Sequence, residues 1–110
     1  MRTNLDKITK DWFVYIIKST DDTLYTGITT DIQRRWNEHN GTVKGAKYFR
    51  GRKPQALLFV SKQSNRSTAT KMEMTIKKYK RDDKLMLISS IKNEITQYKL
   101  HLKSKKLESR

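Results

Sequence analysis

The chain has 110 residues and a net charge of +14, with 25 Lys and Arg against 11 Asp and Glu. That length suits one domain with a modest core, and the lack of cysteine removes disulfides, thiolate metal clusters and thiol catalysis. No apolar run nears the ~18 residues of a membrane span, so the charge points first to a polyanion: nucleic acid or an anionic membrane.

Residues 1–11 read as a polar lead-in without the apolar stretch of a signal peptide, and a cytoplasmic protein is expected. Trp12 to Ile17 is aromatic and β-branched and predicts a buried strand. Ser19-Thr20-Asp21-Asp22 is turn chemistry, and Thr23 to Ile28 predicts a second strand, completing a hairpin. Gly27 within it signals a close backbone approach or a special torsion. Thr29-Thr30-Asp31 offers N-cap residues for a helix from Ile32 to Asn40, ended by Gly41. Residues 41–54 form a glycine- and lysine-rich loop. Gln55 to Ser61 predicts a third strand. A helix restarts at Ser64 to Ser67, with Ala69, Met72, Ile76 and Tyr79 as its apolar stripe. Asp82-Asp83 opens a further short helix carrying Leu85, Leu87 and Ile88. From about residue 91 the pattern fits an amphipathic helix or partial disorder, so residues 91–110 are set apart as a basic tail.

This order predicts an α/β (α+β) domain over 12–90, a short, mostly antiparallel sheet covered by helices, and argues against a doubly wound parallel sheet. The charge is unevenly spread. Residues 1–43 balance at six basic and six acidic, so the whole excess falls after residue 43. A face that binds a polyanion explains that better than a uniformly solvated surface.

Three features could carry a reaction. Tyr15 and Tyr25 sit on opposite arms of the hairpin and can face each other. They are two core tyrosines on the plainest reading, yet a buried phenol needs a partner. Arg35 and His39 share one helix face at i, i+4 beside Ile32 and Trp36. A guanidinium can clamp phosphate and an imidazole can take a proton near neutral pH, though the spacing alone also describes an exposed pair. Glu73 is the sole acidic residue between Glu38 and Asp82. It pairs readily with Lys77, or it serves as the one carboxylate of a Mg²⁺ site completed by phosphate and water. No P-loop, GxGxxG or zinc pattern is present, and His101 has no assigned role.

These residues, in this order, resemble the GIY-YIG endonuclease domain (the URI domain). The half-motifs appear as Phe13-Val14-Tyr15 and Tyr25-Thr26-Gly27, followed by Arg34-Arg35-Trp36-Asn37-Glu38-His39. The loop from Lys44 to Pro54 looks like that of the small single-domain bacterial YhbQ-like branch. The similarity runs from about Trp12 to Ser90. It departs from the motif at Phe13, where the family has glycine, and at Thr26, where it has isoleucine. No asparagine beyond the glutamate is clearly placed. The resemblance implies a three-stranded antiparallel sheet flanked by helices. It implies a catalytic role for Arg35, a metal role for Glu73, site positions for Tyr15, Tyr25 and His39, and close passage of the backbone at Gly27.

The expected chemistry is metal-dependent hydrolysis of DNA phosphodiester bonds in repair or recombination, selecting substrate structure such as branches or flaps. One Mg²⁺ or Mn²⁺ is the expected cofactor, held by Glu73. Arg35 neutralises the scissile phosphate and Tyr15, with His39 or Tyr25, accepts a proton from water. A phenol titrates near pH 10, so that role requires depression by nearby cations. Lys44, Lys47, Arg50 and Arg52 are expected to contact backbone phosphates, giving salt-sensitive binding. A monomer without membrane contact is expected, with room for an activating protein partner. The rival is a non-catalytic nucleic-acid-binding module on the same fold, and charge alone does not separate DNA from RNA.

Overall fold

The computed structural model describes residues 10–41 and 44–98. Most of the lead-in, His101 and the tail leucines Leu100, Leu102 and Leu107 lie outside the described residues. Strand β1 spans Trp12–Ser19 and β2 spans Leu24–Thr29. Helix α1 is Ile32–His39, β3 is Pro54–Gln63, α2 is Arg66–Lys77 and α3 is Arg81–Ile88. Single 3₁₀ turns lie at Lys47–Phe49 and Ile95–Gln97. The sheet runs β2-β1-β3, antiparallel at both pairings, as the sequence predicts. Among the described residues no helix is long and apolar enough to cross a membrane.

Alternation along β1 divides the core in two. Tyr15 and Ile17 face one side and pack with Ile32, Trp36, Phe49, Leu57 and Val60. Val14 and Ile16 face the other and pack with Phe59, Ala69 and Ile76. One layer is thus α1 and its following loop, and the other is α2 and α3. Asp31 caps α1 by accepting from the Arg34 amide at 3.0 Å, and Asn65 caps α2 by accepting from the Thr68 amide at 2.9 Å.

Two apolar assignments differ from expectation. Tyr79 lies beyond the end of α2 and is exposed, because the helix stops at Lys77 before the stripe reaches it. Leu85 is also exposed, while its neighbours Leu87 and Ile88 pack against the core. Residues 91–98, grouped with the tail on sequence, dock along β3. Asn93 Nδ2 donates to the Leu58 and Ile88 carbonyls at 2.7 and 2.8 Å, and its Oδ1 accepts from the Val60 and Ile95 amides at 3.2 and 3.0 Å. Glu94 adds a bond from its amide to the Val60 carbonyl and one from the Lys62 amide to its carboxylate, both 2.8 Å. The outer edge of β3 is covered by this segment.

Candidate active site

The hairpin register decides how the tyrosines meet. Tyr15 pairs with Gly27, and Tyr25 with Ile17. The two phenols are therefore diagonal neighbours on one face, not directly opposite as the sequence spacing suggests; their ring centroids stand 6.2 Å apart. Gly27 gives the Tyr15 ring its room. A Cβ there would stand 2.5 Å from the Tyr15 hydroxyl oxygen and 2.7 Å from its Cζ. Of the two readings of that glycine, the close approach is the one found.

Helix α1 adds the next two groups. Its last residue, His39, is buried, which removes the exposed-pair reading. His39 Nε2 lies 2.8 Å from the Tyr15 hydroxyl, and Nδ1 lies 3.2 Å from the Ala46 amide nitrogen. One turn back, Arg35 Nη1 donates to Glu38 Oε1 at 2.7 Å and to the Lys44 carbonyl at 2.8 Å. The Arg35 charge also acts on Tyr15, favouring its ionised form. Glu73 comes from α2 in the other layer and pairs with Lys77 at 3.2 Å. Its negative charge reaches both Tyr15 and Tyr25.

Burial governs the protonation states. Burial, then the neighbouring Tyr25, pushes the Tyr15 phenol well above its ordinary value, and Arg35 pulls against them. Burial also raises Tyr25. The depression that a tyrosine base requires is therefore absent in the chain by itself, and Tyr15 is a neutral phenol at neutral pH. His39 is pushed down to about 4 by burial and then by the Arg35 charge, so it is uncharged. Burial pulls Arg35 down, but the bond to Glu38 and the interaction with Tyr15 outweigh it and hold the guanidinium charged.

The His39 shift makes stability depend on pH. Between its ordinary 6.5 and about 4, an unfolded chain takes up a proton that the folded chain refuses. The His39 contribution is thus fully present above 6.5 and is lost as the pH falls through the folded value. Urea unfolding from about pH 7 down to pH 4 is expected to show a shallower loss for His39→Gln than for wild type.

Tyr48 and Phe49 complete the site, and the motif reading did not name them. Their 3₁₀ turn walls the His39 and Tyr25 rings: Phe49 stands 4.7 Å from His39 and Tyr48 stands 4.9 Å from Tyr25, centroid to centroid. The signal was an aromatic pair inside an otherwise basic, glycine-rich loop. Of the basic loop residues, Lys44, Lys47 and Arg50 are exposed. Arg52 is half-buried: its Nε pairs with Asp21 at 2.8 Å and its guanidinium stacks on Tyr48. The Tyr48 hydroxyl bonds Thr23, so the loop is fastened to the β1–β2 turn.

A metal would find a sparse donor set. Among the described residues no three His, Cys, Asp or Glu side chains cluster. Glu73 is about one-fifth exposed and faces the tyrosines electrostatically. One reachable carboxylate fits a hard cation held mainly by phosphate and water oxygens, not an all-protein cage.

Comparison with known proteins shows the family. The GIY-YIG catalytic domain matches residues 11–86. The UPF0213 protein DP2720 of Desulfotalea psychrophila is 47% identical over 79 residues, covering 72% of each chain. The UPF0213 protein YhbQ of Salmonella typhimurium is 41% identical, covering 71% of this chain and 77% of its own. The solution structure of the UPF0213 protein BH0048 from Bacillus halodurans is 35% identical over 77% of this chain and 89% of its own, with a TM-score of 0.49. With the match spanning the hairpin, the α1 arginine and the α2 glutamate in one stretch, the chain belongs to the GIY-YIG family, among its UPF0213 proteins.

Proposed function

We propose that this chain is a metal-dependent endonuclease that hydrolyses DNA phosphodiester bonds, choosing its substrate by shape or branching, in DNA repair or recombination. The observation that carries the reading is the convergence of Tyr15, Tyr25, Arg35 and His39 on one face, with the Glu73 charge reaching both phenols. Arg35, a quarter exposed, is the group that meets a scissile phosphate. Nη1 supplies both its Glu38 and Lys44 bonds, and a guanidinium has five N–H donors. As a phenolate, formed when the charge of Arg35 and of a bound cation favours loss of its proton to water, Tyr15 would accept a proton from the nucleophilic water. Tyr25 and the wall of Tyr48 and Phe49 exclude bulk solvent from this hydroxyl. Glu73 would hold one Mg²⁺ or Mn²⁺, which when bound supplies Lewis acidity at a phosphate oxygen and positive charge beside the phenols. Lys44, Lys47 and Arg50 would track the DNA backbone, without reading bases.

The test is cleavage of flap, fork and linear duplex DNA, with matched RNA, in Mg²⁺ or Mn²⁺, with binding recorded in EDTA. Arg35→Ala is expected to lower cleavage about 10²–10³-fold while binding persists. Binding by wild type with no cleavage of any substrate would favour the non-catalytic binding module instead.

A further inference from the structure

The loop after α1 turns back onto that helix and touches both of its site residues. The Lys44 carbonyl accepts from Arg35, and the Ala46 amide points at His39 Nδ1. Gly45, between them, lies flat on the helix end. A Cβ there would stand 2.5 Å from the Glu38 carbonyl oxygen and 2.9 Å from His39 Cα. A side chain on Gly45 would therefore lift the loop off the helix.

This contact fixes a proton. A backbone amide can only donate, so Nδ1 of His39 must accept. A neutral imidazole carries its single proton on the other nitrogen. The 2.8 Å contact to Tyr15 is then Nε2–H donating to the hydroxyl oxygen. We propose that Gly45 and the Ala46 amide are positioning residues that lock His39 as an uncharged donor to Tyr15, so that His39 is not the acceptor of the tyrosine proton. Its catalytic consequence rests on the nuclease reading; the proton placement does not. The phenol oxygen is oriented by His39, and the proton it carries passes to water, not to His39, before Tyr15 takes one from the nucleophile. The sequence reading, in which His39 assists Tyr15 as it accepts a proton from water, becomes specific: the help is a hydrogen bond that favours the Tyr15 phenolate.

Two measurements test this. In ¹⁵N-labelled wild type, a scalar coupling across the hydrogen bond should link the Ala46 amide nitrogen to His39 Nδ1, with the ring proton on Nε2 at neutral pH. No coupling, or a proton on Nδ1, overturns the proposal. Gly45→Ala should lose the coupling and show both tautomers; an unchanged signal would remove Gly45 from the role. In cleavage assays, His39→Gln, whose amide N–H can replace Nε2–H, should stay within about tenfold of wild type, while His39→Ala loses about a hundredfold. Equal loss in both would assign His39 to proton transfer and overturn the donor role. If wild type cleaves nothing, the nuclease reading falls, and the coupling still decides the proton placement.

Discussion

Glu73→Gln is expected to lower cleavage by roughly 10³-fold and to leave folding stability within about 0.5 kcal/mol of wild type. The two effects separate because Glu73 has two unequal partners. Its bond to Lys77 is a helix-surface ion pair whose lysine is half exposed, and such pairs contribute a few tenths of a kcal/mol. Its charge also acts on Tyr15 and Tyr25. Glutamine keeps the shape and removes the charge that would hold a cation. Cleavage rates set beside urea unfolding check both halves. Loss of stability equal to the loss of activity would make Glu73 a packing residue, and unchanged cleavage would place the metal elsewhere.

Gly27→Ala, a single methyl group, is expected to cost about 1–3 kcal/mol and about 10²-fold in cleavage. The added carbon would sit 2.5 Å from the Tyr15 oxygen, 2.7 Å from Cζ and 3.1 Å from the Tyr25 ring. Tyr15 is 2% exposed and cannot swing into solvent to escape it. The ring must shift, and the His39 bond to its hydroxyl goes with it. Gly51→Ala is the matched control, because a Cβ there meets nothing within 4 Å. It should leave Tm and cleavage unchanged. A Gly27→Ala protein that melts and cleaves like wild type would show that the sheet yields more readily than the register implies.

Much of this was legible in the sequence because the signals were local. The aromatic, β-branched run at Trp12 gives β1, and the cap residue Asp31 gives the start of α1. The spacing from Tyr15 through Tyr25, Arg35 and His39 to Glu73 gives the family. What was hidden depends on backbone and register. The diagonal placing of Tyr15 and Tyr25 follows from which residue pairs with Gly27, and the turn sets that, not the tyrosines. The partner of His39 Nδ1 is a main-chain amide, and no residue type announces it. The raised phenol of Tyr15 reflects burial that charge counting in one dimension cannot show. Asn93 looks like any polar residue of a basic tail until its four bonds close, two of them on β3.

The loop between α1 and β3 is moored at both ends. At one end the Lys44 carbonyl and Ala46 amide bind the helix; at the other Arg52 binds Asp21, and Lys53 and Thr20 share a backbone bond. Arg50 and Gly51, between the moorings, are exposed. Inheritance can therefore act differently on the two parts. The moorings admit little change without disturbing Tyr15, whereas the crest can lengthen, shorten or change charge at small entropic cost. Descendants of one such gene could acquire new nucleic-acid preferences at the crest while the reacting groups below stay as they were.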